Sequence, residues 1–533
     1  TLSTNNLSTI RANQGRMNRP NFCICSTGNA LRKNFPKRAV GPNVGNRRGA
    51  QSAPAELQGG ATKRQSKNKE MTLEHLRSPD FFGWMGRSGM RSFDHEIIRS
   101  RLSELKSIRQ KGDAHELLYY FSEGIHGNMA GMGTPEIYES NDNHEAYDLI
   151  KSYVDEISLG LSQIADLPPD VLSDSAKLAF LQRCSQAYGR CALMLSGAGS
   201  MAPFHLGVCK ALVLQGLLPT IISGSSGGAI IAAIVCTRDD EELETLLQSE
   251  MLAEMFNLVH AAYEANTKLL SGDDVAKIIS AWIPDVTFAE AYEKTGRHLC
   301  ISVAPAELHQ QSRTLNSITT PNVLLRESIQ ASCAVPGFME PVKLMARGIG
   351  GERVPYVSSR SWIDGSVTDD LPASRLRRIF GCNFFIASQT NPMILWSVQD
   401  PNSRGPMSDW LDFWQSASKE WVKAFYPAAQ KMVQNVYPMN LVMRMYSTIL
   451  TQDYTADVNI LPTQKFVNPN AMLEVIEPKA ALDLVNDGEA NGWRQIRRIR
   501  NCIQIGLKID SLITDLSDDD SIHERDHIRE GGL

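Results

Sequence analysis

The sequence lacks the cysteine patterns of a disulfide scaffold or a zinc site. Its ten cysteines are scattered over 533 residues, and only Cys23 and Cys25 lie close together. No C-x-x-C occurs, and no Cys/His cluster has the spacing of zinc ligands. In a chain of this length, such usage predicts reduced thiols in an intracellular compartment.

A second absence is a stretch long enough to span a membrane. The longest apolar run, Leu212 to Cys236, is interrupted by Gln215-Gly216, by Pro219-Thr220 and by the polar turn from Ser223 to Gly228. A span needs about 20 mostly apolar residues. We therefore expect any contact with lipid to be made from the aqueous side.

Acidic residues are nearly missing from the first 70 positions. This segment has 13 Lys and Arg but only Glu56 and Glu70, a charge of +11 within a chain whose total is −5. The low total argues against a nucleic-acid partner. Residues 1–70 are also rich in Asn, Ser and Gly, which predicts a disordered basic arm. We favour a solvated tail, with an organelle-targeting or anionic-surface arm as the alternative.

Two folded regions follow the arm. Apolar residues recur with helical spacing between 71 and 165, for example at Ile98, Leu102 and Leu105, so we predict a helical N-terminal domain there. Between 170 and 395, short buried strands alternate with helices. This alternation predicts an α/β domain whose sheet is covered on both faces.

The remainder is predicted to be a mixed C-terminal extension at 396–510 and a solvated acidic tail at 511–533. The extension contains an aromatic stripe with i, i+3, i+4 spacing, flanked by Lys419 and Lys423 and formed by Trp410, Phe413, Trp414, Ala417, Trp421 and Phe425. Packing on the α/β domain is the favoured interpretation, and contact with a lipid interface is the alternative. Phe81, Phe82 and Trp84 raise the same question.

The motif with the most chemical content is Gly224-Ser225-Ser226-Gly227-Gly228, a G-x-S-x-G sequence. It lies between an apolar strand at 220–223 and an apolar helix at 229–235. A strand, a tight turn and a helix are the setting in which this motif exposes a nucleophilic serine. We predict Ser226 as the nucleophile, with Gly224 and Gly228 permitting the turn; an ordinary turn is the alternative.

A glycine-rich turn, Ser196 to Ser200, follows the preceding strand. Its backbone amides are suited to binding an oxyanion or a phosphate. A complete G-x-G-x-x-G is absent because Ala202 occupies the third glycine position, which argues against a nicotinamide cofactor. His205, which follows the turn, is interpreted as its support.

Two kinds of base are open to Ser226. A Ser-Asp-His triad would need His260, His298 or His309 with an acid such as Asp240, Asp274 or Asp285, yet none of these histidines follows a clear strand. Asp364, by contrast, ends the short apolar strand Trp362-Ile363 and precedes Gly365. It is either a turn former or a carboxylate that accepts the serine proton directly.

Taken together, Gly197-Ala198-Gly199, Gly224 to Gly228 and Asp364-Gly365 resemble the three signatures of patatin-like phospholipases. The resemblance extends to the triacylglycerol-lipase branch of plants and fungi and covers about residues 92–510. Its further matches are Gly131 to Pro135, Phe204 to Leu212, Ala331 to Gly337, Trp362 to Pro372 and Trp493 to Asn501. Three departures are Ala198 and Ala202, where glycine is usual, and Thr368-Asp369. Alanine at 198 would be strained if the site required a positive φ.

The resemblance implies a three-layer α/β/α fold and a Ser226–Asp364 dyad without a catalytic histidine. It also implies an oxyanion hole formed by the amides of Gly197, Ala198 and Gly199. The implied activity is hydrolysis of triacylglycerol through an acyl-enzyme at a lipid-droplet or membrane surface, by a peripheral enzyme of the cytoplasm. No metal or organic cofactor is implied. Alternatives are a phospholipase A, lysophospholipase or acyltransferase using the same dyad, and a non-catalytic scaffold on lipid.

Overall fold

The computed structural model describes residues 93–139, 144–261, 271–307, 310–336, 338–367, 369–391, 456–463 and 474–530, with side chains up to 517. The predicted basic arm, the aromatic stripe at 410–425 and Phe81, Phe82 and Trp84 lie outside these residues.

The N-terminal region is helical, as predicted. It consists of α1 (His95–Lys111), α2 (Ala114–Ser122), α3 (Glu136–Glu139), α4 (His144–Ala165) and α5 (Asp174–Tyr188). Ile98, Leu102 and Leu105 are buried in one apolar cluster with residues of α4. Because α5 contributes Phe180 and Leu181 to the same cluster, the helical unit extends beyond the boundary that we predict at 165–170.

The α/β region contains nine strands and a series of helices among the described residues. In chain order these are β1 (Arg190–Leu195), α6 (Ala202–Val213), β2 (Ile221–Gly224), α7 (Gly227–Cys236), α8 (Asp240–Leu246), α9 (Ser249–Ala261), α10 (Gly272–Trp282), α11 (Phe288–Thr295), β3 (His298–Pro305), β4 (Arg313–Asn316), α12 (Leu325–Ser332), β5 (Met345–Arg347), β6 (Arg353–Pro355), β7 (Trp362–Asp364), α13 (Ala373–Phe380), β8 (Cys382–Ser388), β9 (Val458–Ile460) and α14 (Pro478–Glu530).

The main sheet has the strand order β4-β3-β2-β1-β8-β9 and is parallel from β3 to β9. Side chains of the central strand β1 alternate between its faces. Leu193 and Leu195 pack in the cluster that contains α6 and α7, whereas Ala192 and Met194 pack with α13. Helices therefore cover both faces, which confirms the predicted three-layer α/β/α architecture.

Strand β3 aligns two segments that are distant in sequence. It pairs in parallel with β2, where Ile301 lies opposite Gly224, and its last residues pair antiparallel with β7, where Val303 lies opposite Asp364. Val303 also pairs with Arg313 of β4, so β7 occupies the other edge of β3, in line with β2. Asp364 therefore lies just beyond the end of β2.

The C-terminal helix α14 joins the two regions. Val485 and Ile499 pack in the sheet-side cluster, while Ile505 and Ile509 pack in the cluster of the N-terminal helices. Leu512 is also buried there, and the helix continues to Glu530. The acidic tail predicted to begin at 511 is corrected accordingly: its first residues continue a packed helix.

Helices α6 and α14 approach closely through glycines. A Cβ at Gly207 would overlap the carbonyl oxygen of Val485, and one at Gly488 would overlap the carbonyl oxygen of Phe204. Backbone atoms cannot move aside as a flexible side chain can. The contact therefore requires the absence of a side chain at both positions.

We expect Gly488→Ala to lower the free energy of unfolding by about 1–3 kcal/mol, because the added methyl group forces α6 and α14 apart. Thermal unfolding followed by circular dichroism measures the effect. Gly272→Ala is the matched control, since a Cβ there meets only Met339 at 3.9 Å. Equal midpoints for the two variants would contradict the packing argument.

Candidate active site

The turn at Ser226 is strained and is permitted by the glycines around it. Ser226 has φ 50° and ψ −125° between the end of β2 and the start of α7. A non-glycine residue with positive φ is uncommon, and such strain is concentrated at functional sites. A Cβ at Gly224 would overlap the carbonyl oxygen of Gly228, and one at Gly228 would overlap the carbonyl oxygen of Ser196. Both glycines are therefore needed for the close approach of β2, α7 and the turn after β1.

The strained residue is held by a hydrogen bond that the sequence did not reveal. The amide of Ser226 donates to the hydroxyl oxygen of Ser332 at 3.0 Å, and that hydroxyl donates to the carbonyl oxygen of Ser302 at 2.8 Å. Ser332 ends α12, within the stretch Ala331 to Gly337 that carries part of the family resemblance. That stretch indicated that the segment matters to the family, but the hydrogen bond between Ser332 and Ser226 depends on tertiary packing and could not be predicted from it.

The carboxyl group of Asp364 lies within hydrogen-bond reach of Ser226. Asp364 is 2% exposed, lies close enough to the side chain of Ser226 for that hydroxyl to lower its pKa, and accepts a hydrogen bond from the amide of Ser366 at 2.8 Å. Burial raises its pKa to about 6, although the interactions with Ser366 and Ser226 oppose that shift and the charge of Asp370 adds to it. Such a carboxylate is ionised at neutral pH and is basic enough to accept a proton.

The amides of the glycine-rich turn have different partners. The Gly197 amide donates to Oδ1 of Asp370 at 2.7 Å, so it has a partner other than the oxyanion expected from the sequence. Within the described part of the chain, the amides of Ala198 and Gly199 have no hydrogen-bond acceptor. These two amides remain as candidate oxyanion donors.

The two alanine departures cause no backbone strain. Ala198 has φ −132°, and Ala202, the first residue of α6, has φ −50°. Neither position uses the positive φ that favours glycine, which is found at Gly199 instead (φ 53°).

His205 supports the turn and is uncharged. Its Nε2 donates to the carbonyl oxygen of Ser196 at 3.0 Å, and its Nδ1 accepts from the hydroxyl of Ser388 at 2.7 Å. Burial lowers its pKa to about 4. The imidazole is therefore neutral near pH 7 and makes no contact with Ser226.

The histidines considered for a triad lie elsewhere. His298 begins β3, at the opposite end of the sheet from Ser226, and pairs with Ser317. His260 is on α9 with its Nδ1 unpaired, and His309 lies outside the described residues. The candidate acids have other partners: Asp240 binds Arg297, Asp274 caps α10, and Asp285 binds Arg353. Among the described candidates for the base, only Asp364 lies beside Ser226.

An apolar cavity of about 160 Å³ opens beside Ser226. Its lining includes Ile230, Phe256, Trp282, Met339 and Ile476. A mostly apolar pocket with a few convergent polar groups is the usual form of a small-molecule site. This pocket is suited to a hydrocarbon chain whose polar end faces the serine.

Comparison with known families identifies two domains. Residues 193–377 match the family described as patatin-like phospholipase, and residues 72–186 match a domain of unknown function, DUF3336. The first match contains Ser226 and Asp364. The second ends within α5, in agreement with the packing of that helix.

Individual proteins show the same relationship. A protein named Triacylglycerol lipase SDP1L from Arabidopsis thaliana is 31% identical over 80% of this chain and 54% of its own length. Triacylglycerol lipase ptl2 of Schizosaccharomyces pombe is 33% identical over 57% of this chain and 49% of its own. A patatin-like phospholipase domain-containing protein of Pyricularia oryzae is 30% identical over 79% and 55%. The chain thus spans about half the length of these relatives, and it contains a patatin-like phospholipase domain preceded by a DUF3336 domain.

Proposed function

We propose that the protein is a serine esterase that hydrolyses triacylglycerol to diacylglycerol and fatty acid through a Ser226–Asp364 dyad. The observation that carries the proposal is the proximity of the strained serine to a buried carboxylate, beside an apolar pocket. The names of the plant and fission-yeast relatives support the substrate.

In the proposed reaction, Ser226 Oγ attacks the ester carbonyl while Asp364 takes the hydroxyl proton. The amides of Ala198 and Gly199 stabilise the resulting oxyanion. Collapse of the tetrahedral intermediate breaks the bond to the glycerol oxygen, which leaves with the proton from Asp364. Water then attacks the acyl-enzyme while Asp364 takes its proton. Collapse of the second tetrahedral intermediate breaks the bond to Ser226 Oγ, which regains the proton from Asp364, and the fatty acid is released.

The apolar pocket is proposed to hold the acyl chain that is transferred to Ser226. No helix of the described residues is both long and apolar enough to cross a bilayer. Because triacylglycerol is insoluble in water, we propose that the protein acts as a peripheral enzyme at a lipid-droplet or membrane surface. The family's description favours a second substrate class, phospholipids, which the same dyad would hydrolyse.

We expect emulsified triolein to be hydrolysed faster than phosphatidylcholine vesicles by the wild-type chain. Ser226→Ala and Asp364→Asn should each lower turnover by about 10³-fold or more, since each removes a group on which proton transfer depends. Chromatography of released oleate measures both effects. Ser223→Ala is the matched control, because this buried serine precedes the turn on β2 and its hydroxyl has no partner among the described residues.

Retained turnover in Ser226→Ala would exclude the dyad. Turnover of phosphatidylcholine alone would keep the dyad and change the substrate, whereas binding to lipid without turnover would favour a scaffold.

The pKa of Asp364 predicts the acid limb of the pH profile. Below about pH 6 the carboxyl group is protonated and cannot accept the serine proton. We therefore expect kcat/KM to fall about tenfold per pH unit below that value. Butyrate released from monomeric tributyrin, quantified by chromatography between pH 4.5 and 8, tests this without a lipid interface. A flat profile down to pH 4.5 would contradict a base with a raised pKa.

A further inference from the structure

A second carboxylate, Asp370, lies in the site without a role in the proton transfers proposed above. It follows Asp364 by one short turn, Gly365–Val367, and is 1% exposed. Removing an ionised carboxylate from water is unfavourable unless its oxygens are hydrogen-bonded. The partners of Asp370 therefore indicate what the burial achieves.

Those partners come from three separate segments of the site. Oδ1 accepts from the amide of Gly197 at 2.7 Å and from the hydroxyl of Ser225, and Oδ2 accepts from Nδ2 of Asn391 at 3.1 Å. Gly197 begins the oxyanion turn, Ser225 precedes the nucleophile, and Asn391 follows β8. Hydrogen bonds to an ionised acceptor are shorter and stronger than those between neutral groups.

We propose that Asp370 is a positioning residue that holds the Gly197 peptide and thereby aims the next two amides, those of Ala198 and Gly199, at the oxyanion. The inference rests on the esterase function proposed above. The N–H bond lies in the plane of its peptide group. Fixing the Gly197 amide therefore fixes the first peptide plane of the turn and limits the orientations open to the two amides that follow. The bond to Ser225 links this turn to the nucleophile, and the two halves of the site therefore share one anchor.

Asp370 also acts on Asp364 through its charge. Its negative charge raises the pKa of Asp364. Among the described residues, the other titratable group that interacts with Asp364 is the buried thiol of Cys333, which directly follows α12. Neutralising position 370 should therefore lower the pKa of Asp364, an effect that a loss of folded protein alone would not produce.

The test compares Asp370→Asn with Asp369→Asn in the full chain, with monomeric tributyrin as substrate. Asp370→Asn keeps the shape of the side chain but leaves a weaker acceptor, and the new amide hydrogens face those of Asn391. We expect kcat to fall roughly 10- to 100-fold, below the loss of about 10²–10³ seen when an oxyanion donor is removed outright. KM should stay within about twofold, since the interaction acts in the transition state. The acid limb of kcat/KM should move to lower pH.

Asp369→Asn is the matched control, because that neighbouring carboxylate pairs with Arg375 at 2.7 Å rather than with the turn. It should leave kcat and the acid limb as in the wild type. An unchanged kcat in Asp370→Asn would overturn the proposal even if the acid limb moved, and so would equal losses in the two variants.

If Asp370→Asn does not fold, Ser225→Ala removes one donor to Asp370 and leaves the carboxylate in place. We then expect a several-fold loss of kcat at unchanged KM, and full activity would overturn the proposal. The two levels of inference can fail separately. A wild type without Ser226-dependent release of butyrate would remove the esterase function and this inference with it. An active wild type that is indifferent to Asp370 would remove this inference alone.

Discussion

Strand β3 pairs with β2 over its first residues and with β7 over its last. This pairing places both members of the proposed dyad at the same end of the sheet. Ser226 follows the end of β2, and Asp364 ends β7 opposite Val303. A shift of one residue in either pairing would turn the side chains of that strand to the opposite face. The register of β3 is thus the constraint on which the serine–carboxylate contact depends.

Two carboxylates, Asp364 and Asp370, are buried at this site. Burial raises the pKa values of both Asp364 and Asp370. The folded-state pKa of Asp364 is above its unfolded value. Its contribution to folding stability is therefore greatest at low pH and is lost as pH rises from about 4 to about 6. A shift of this size corresponds to about 3 kcal/mol. The ionised carboxylate that a base requires at neutral pH therefore lowers the stability of the fold.

The features that local sequence encodes could be predicted, and those set by long-range pairing could not. A glycine-flanked serine between an apolar strand and an apolar helix specifies its own turn, so Ser226 was identifiable. Asp364 could be placed at a strand end, but its antiparallel pairing with β3 could not. The roles of Asp370 and Ser332 could not be predicted, because their hydrogen-bond partners are distant in sequence. The C-terminal extension could be predicted only as mixed, and nothing in its local sequence indicated that α14 packs on both clusters.

The close fit of α14 against α6 also affects how the domain can be divided. The region matched by the patatin-like family ends at 377, before β8, β9 and α14 begin. A fragment ending there would leave β1 as an unpaired edge and would uncover α6, the helix that follows the glycine-rich turn at Ser196 to Ser200. The autonomous folding unit of this chain is therefore larger than its homology boundary, and its catalytic half depends on residues a hundred positions further along.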